Sequence, residues 1–138
     1  MELAAALDFV RPRKNGVLVA LKRDGRPQLS NITYTLGDDD VVRISITADR
    51  AKFVNLTRDP RASLYVTQDD FWGYVVLEGD VDLSPVAADP HDATVDELVE
   101  VYRAAVGEHP DWDEYRAAMV TDRRLVVRLR PVHAYGMA

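Results

Sequence analysis

Arg50 and Lys52 flank Ala51 at the point where an extended run, Val41 to Thr47, gives way to a short helical one, Ala51 to Arg58. Backbone N–H groups in the opening turn of a helix have no partner within the helix and carry part of its dipole, so two neighbouring cations complete an anion site. A phosphate is the natural occupant. Taken alone, the two residues read equally as solvated charges at a helix end. Asp49 is expected to act as N-cap, which would consume one of those N–H groups and set a negative charge beside the anion. The site therefore rests more on the two side chains than on the helix end.

Reactive groups for other chemistry are missing. Cysteine is absent, and His91, His109 and His133 have no ligand spacing to one another, so no metal site is expected. There is no G-x-S-x-G elbow, no P-loop and no G-x-G-x-x-G; the glycines are scattered as turn residues. No residue is expected to be catalytic in its own right, and His133 is read as a polar tail contact. A chain of this kind is still an enzyme where a cofactor carries the electrons and the protein supplies placement and electrostatics. Phe71-Trp72-Gly73-Tyr74 offers aromatic surface for a planar ring, with Trp72, in a polar loop, the better candidate and ordinary packing the alternative for its neighbours.

The elements that must hold these residues are mostly strands. Gly16 to Arg23 and Pro27 to Leu36, joined by Asp24-Gly25, form a β-hairpin whose second strand mixes polar and apolar residues on both faces. Val41 to Thr47 is a third strand. Ala62 to Thr67 and Tyr74 to Leu83 are two more, and Arg123 to Leu129 is the last. From Thr94, Val95, Leu98, Val99, Tyr102 and Val106 mark one face of an amphipathic helix, with Thr94 and Glu97 as a capping box and Gly107 as its stop. Asp111 and Glu114 are placed to cap a second helix carrying Trp112, Tyr115 and Met119.

About six strands and three or four short helices define a small antiparallel barrel, mainly β, in a single domain over residues 1–138. With 138 residues the chain buries roughly two-thirds of its unfolded surface and needs no staples. A barrel of this size fills its interior with its own side chains, so a planar ligand must lie outside, where a second subunit can cover it. The expectation is a homodimer with clefts at its interface. Apolar runs such as Val17 to Leu21 are far too short to cross a bilayer, and a cytoplasmic location with no membrane partner is expected. Net charge is −6, but residues 1–61 carry 11 Lys/Arg against 8 Asp/Glu, and residues 62–138 carry 6 against 15. The overall sign argues against nucleic acid as a partner, and the basic half leaves room for a small anionic ligand.

The hairpin Asp24-Gly25-Arg26-Pro27-Gln28-Leu29-Ser30-Asn31, the run Arg50-Ala51-Lys52 to Asn55-Leu56 with Arg58-Asp59-Pro60-Arg61-Ala62-Ser63, and the late Asp111-Trp112 and Met119 to Arg124 together resemble the deazaflavin-dependent oxidoreductases. More narrowly they resemble the branch related to pyridoxamine 5'-phosphate oxidase, over nearly the whole chain. The resemblance implies a homodimeric split β-barrel that binds coenzyme F420, with FMN as the alternative cofactor and a non-catalytic F420-binding protein as the alternative role. It implies that Arg50, Ala51 and Lys52 meet the phosphate, that backbone groups of Ser45 and Ile46 meet the ring system, and that Asn31 and Asn55 face the same groove. Trp72 would come from the partner subunit. The implied chemistry is hydride transfer to a small electron-poor acceptor such as an enone, a quinone or a tetrapyrrole, with the product proton drawn from water. Arg26, Arg58 and Arg61 are expected to form a basic rim for the glutamate tail.

Overall fold

The computed structural model describes Met1–Ala138. Its elements in chain order are α1 (Leu3–Val10), β1 (Asn15–Leu21), β2 (Pro27–Thr33), β3 (Thr35–Leu36), β4 (Val42–Thr47), α2 (Ala51–Arg58), β5 (Arg61–Thr67), β6 (Tyr74–Leu83), α3 (Ala93–Val106), α4 (Trp112–Thr121) and β7 (Arg124–Met137). The strands form one antiparallel sheet in the order β2-β1-β5-β6-β7-β4-β3.

β2 and β3 lie at opposite edges of this sheet, yet only Tyr34 separates them in the chain. The sheet must therefore curl until its edges meet. Tyr34 is the pin: its ring is buried, its N–H donates to the Lys14 carbonyl, and its hydroxyl donates to the Val10 carbonyl at 2.7 Å. The run Pro27 to Leu36, which reads as one strand in the sequence, is thus two strands divided by a buried tyrosine.

Inside the curl, Leu18, Ile44, Leu64, Leu77, Leu125 and their alternating neighbours make the main core, closed by Ala6, Leu7 and Val10 of α1. Successive strand residues face opposite ways, so Val126 points outward between Leu125 and Val127. There it packs with Val95, Leu98 and Val99 of α3 and Met119 of α4. The helical pair is thereby laid over the outer side of β7 and β4, an arrangement that sets one wall of the site.

Two expected features take a different form. The capping box at Thr94 and Glu97 does not exist: Asp92 is the N-cap of α3 and accepts from the Val95 N–H, while the Thr94 hydroxyl donates to the Pro85 carbonyl. Glu97 is drawn instead to Arg43 and Arg128, stronger partners than a backbone N–H. The last strand runs on past Leu129 to Met137 through a bulge opposite Glu78 and Gly79, which accommodates Pro131. Gly79 is required there, because a Cβ would lie 2.1 Å from the Arg130 carbonyl oxygen. His133 belongs to this strand, exposed, with Nε2 at 3.8 Å from Glu78. Gly107 ends α3 at φ 105°, and Asp111 caps α4 by accepting from the Glu114 N–H, both as the sequence indicates.

Candidate functional site

A cleft of about 610 Å³ opens where the end of β2, the edge of β4, the start of α2 and the α3–α4 pair converge. β3 pairs with β4 only at Val42 and Arg43, so from Ile44 to Thr47 that edge of β4 has no strand beside it. An unpaired strand edge presents backbone donors and acceptors in a row. Ser45, Ile46 and Thr47 line the cleft along this edge, facing Asn31, Ile32 and Thr33. The Ile46 side chain is packed in the core, so only its backbone is offered.

At the end of this edge the chain turns through Ala48 and Asp49 into α2. Arg50 itself is the N-cap, in an extended conformation with no side-chain hydrogen bond to the helix. This corrects the expectation for Asp49. Its carboxylate accepts from the Thr47 hydroxyl, a bond that holds it below the usual carboxylate range, and it leaves the first-turn N–H groups alone.

Three cations line the cleft: Arg50, Lys52 and Arg124. Seven arginines elsewhere, from Arg11 to Arg130, sit on carboxylates, but none of these three does. Burial, with Arg50 and Arg124 alongside, lowers the Lys52 pKa from the ordinary lysine value, as expected of cations concentrated without a counter-ion. Arg124 is also poorly satisfied. Its Nη1 reaches the Ser45 carbonyl and hydroxyl only at 3.5 and 3.4 Å, the limit of hydrogen bonding, and its buried Nε has no partner. These orphaned donors and uncompensated charges suit an anionic group such as a phosphate.

The opposite wall is apolar. Val101, Tyr102 and Val106 of α3 and Tyr115 and Met119 of α4 line it. Tyr102 and Tyr115 belong to an aromatic cluster with His109 and Trp112, with ring centres 5.0 to 5.7 Å apart. The Tyr115 hydroxyl donates to the Leu98 carbonyl at 3.0 Å, and burial pushes its pKa up to about 12. That phenol is a fixed structural donor.

Of the residues singled out in the sequence, Asn31, Ser45, Ile46, Arg50 and Lys52 come together in this cleft. Ala51 lies at the exposed start of α2, between the two cations. Asn55 does not line the cleft: it is buried, and its Oδ1 accepts from Arg58 at 3.1 Å. Trp72 is 80 % exposed at the tip between β5 and β6, outside the cleft of its own chain. Arg58 donates to the Leu21 carbonyl and Arg61 pairs with Asp59, so neither forms a rim around this cleft. Tyr102 and Tyr115 were legible in the sequence only as helix-face residues, and Arg124 only as the end of the run Met119 to Arg124, not as residues of the site.

A closed-up antiparallel sheet with a cation-lined cleft on its free edge is the architecture of split-barrel, cofactor-binding proteins. The family model for pyridoxamine 5'-phosphate oxidase matches residues 3–138, and the chain belongs to that family. Among solved structures it is similar to a conserved hypothetical protein from Mycobacterium tuberculosis, at 24% identity and a TM-score of 0.75, covering 99% of this chain and 84% of that one. It is also similar to an F420 reductase at 26% identity and a TM-score of 0.62, covering 91% and 90% of the two chains. A pyridoxamine 5'-phosphate oxidase-related, FMN binding protein from Nostoc punctiforme matches at 14% identity and a TM-score of 0.62, covering 97% and 80%, a likeness of fold. No helix is long and apolar enough to cross a membrane.

Proposed function

We propose that this protein is an oxidoreductase that uses coenzyme F420 and reduces a small electron-poor organic acceptor. The observation that carries the reading is the group of three cations without carboxylate partners beside an unpaired strand edge. Arg50 and Lys52 would hold the phosphate of the cofactor, with the N–H groups at the start of α2 left open by the absence of a cap. The backbone of Ser45 and Ile46 and the Asn31 amide would meet the polar edges of the ring. When bound, the deazaflavin supplies two-electron hydride chemistry, and the chain supplies proximity, which is worth up to roughly 7 to 11 kcal/mol in well-oriented cases. Tyr102, Val106 and Met119 exclude water from one side, and the product proton is drawn from solvent at the open side. F420 is favoured over FMN because the F420 reductase is 26% identical to this chain, against 14% for the FMN binding protein.

A second copy of the chain would complete the site. The outer face of the sheet exposes Leu29, Val132, Tyr135 and Met137, and a partner packed there would cover this apolar surface and bring its Trp72 towards the cleft. The test is equilibrium titration with F420 and with FMN, on wild type, Arg50→Ala and Lys52→Ala. Each variant removes charge-assisted hydrogen bonds worth about 1.5 to 3 kcal/mol, so F420 affinity falls by roughly 10- to 150-fold in each. Tighter binding of FMN than of F420, or wild-type affinity in both variants, overturns the proposal.

A further inference from the structure

Arg124 stands apart from the other two cations. It enters the cleft from the start of β7, after the turn that ends α4, whereas Arg50 and Lys52 share the start of α2. A guanidinium has five N–H donors in a rigid fork. Here only Nη1 finds protein acceptors, at 3.4 and 3.5 Å on Ser45, and Nε is buried without one. A structural arginine in this protein looks different: Arg128 fills its fork with Glu97 and Asp82, and Arg43 with Asp39 and Glu97. The charge count points the same way. One singly charged phosphodiester at Arg50 and Lys52 leaves the third positive charge unanswered, and no carboxylate of the chain answers it.

We infer that Arg124 forms a second anion subsite beside the Arg50–Lys52 subsite, so that the cleft takes a ligand carrying two anionic groups close together. A phosphate followed by a carboxylate or by a second phosphate has this chemistry. The inference rests on the cleft being an anion site, as the proposed function requires. It adds a requirement on the ligand's arm that neither cation of α2 imposes. Within the F420 reading, the first carboxylate of the glutamate tail is the group that Arg124 meets. Tyr115 and Met119 line the cleft with Arg124 and screen the subsite on the helix side.

The experiment compares wild type with Arg124→Gln and Arg124→Lys by calorimetric titration with pyrophosphate, inorganic phosphate, F420 and the phosphate-free deazaflavin riboside. Wild type should prefer pyrophosphate to inorganic phosphate. Arg124→Gln should bring that preference close to unity and weaken F420 by about tenfold or more, with the riboside unchanged. Arg124→Lys should recover most of the loss, and the salt dependence of F420 binding should flatten only in the Gln variant. Unchanged pyrophosphate preference in Arg124→Gln, or equal loss for F420 and the riboside, overturns the inference while leaving Arg50 and Lys52 their role. If wild type binds neither F420 nor FMN but keeps a pyrophosphate preference that depends on Arg124, the cofactor assignment fails and the second subsite stands.

Discussion

Replacing Glu97 tests how the apolar wall of the cleft is held. Glu97 projects from α3 onto the outer face of the sheet, where its carboxylate accepts from Arg43 Nε at 3.0 Å and from Arg128 Nε at 2.9 and 3.2 Å, with a further bond from Arg128 Nη2. The Glu97 side chain is 19 % exposed and those of Arg43 and Arg128 are 25 % and 26 % exposed. This is neither a surface pair, worth about 0 to 1 kcal/mol, nor a fully buried one, whose breakage costs about 3 to 5 kcal/mol. Each arginine also keeps a second carboxylate, Asp39 or Asp82, when Glu97 is gone. Glu97→Ala should therefore cost about 2 kcal/mol, between those limits, and lower Tm by about 6 to 8 °C for a chain of this length. Hydrogen bonds from Arg128, ahead of those from Arg43, lower the Glu97 pKa in the fold. A folded-state pKa below the unfolded one contributes stability above the unfolded value, and that stability is lost as pH falls through the folded value. Glu97→Gln should thus be less stable than wild type at neutral pH and approach it in acid. Urea unfolding across pH measures both effects, and a double-mutant cycle with Arg128→Gln isolates the pair. A Tm within 2 °C of wild type for Glu97→Ala, roughly the half-kilocalorie scale of ordinary surface changes, refutes the argument.

Asp49→Ala should leave Tm essentially unchanged, since Asp49 caps nothing, and should tighten phosphate binding by removing the negative charge beside Arg50. Thermal unfolding and phosphate titration check the two halves, and a destabilised variant would restore Asp49 as a cap. Tyr34→Phe should cost about 0.5 to 1.5 kcal/mol, because it removes one of the two hydrogen bonds to the Val10 carbonyl, which keeps the Arg13 N–H, where β2 and β3 part. Chemical denaturation measures this, and a neutral result would mean that the closure of the sheet does not depend on that bond.

The elements with local signals were legible. Asp24-Gly25 announces the β1–β2 hairpin, Gly107 and Asp111 bracket the break between α3 and α4, and the spacing from Val95 to Val106 marks α3. Misreadings arose where a distant partner outbids a local one. Thr94 and Glu97 have capping-box spacing, but two arginines on β4 and β7 claim Glu97 and the Pro85 carbonyl takes the Thr94 hydroxyl. α1 lacks polar caps, and its helix is held by packing Ala6, Leu7 and Val10 into the barrel, which no local pattern reveals. The last strand is expected to span Arg123 to Leu129, whereas the bulge opposite Glu78 carries β7 past Pro131 to Met137. For the site, Arg50 and Lys52 were visible because they abut a helix start. Arg124 is 72 residues beyond Lys52 in the chain and next to another arginine, Arg123, so only the pairing of β7 with β4 singles it out.

That pairing also explains why the three cations are tolerated. The chain has 23 acidic residues, yet none lies on β4 or α2, where even one carboxylate would have offset part of the cleft's three positive charges. The side chains there are instead Ser45, Ile46 and Thr47, neutral and along an edge left open by the shortness of β3. Gathering like charges at a half-buried position opposes folding, as the lowered Lys52 pKa reflects. The same interaction free energy favours any anion that enters, since a ligand that binds only the folded chain stabilises it by RT ln(1 + [L]/Kd). The open edge offers backbone groups that could read a flat polar ligand, and the cations offer affinity for a charged arm. On the proposed reading, such a cleft would hold a phosphorylated ligand through the parts of it that do not react, which would leave the reactive ring free to face the acceptor.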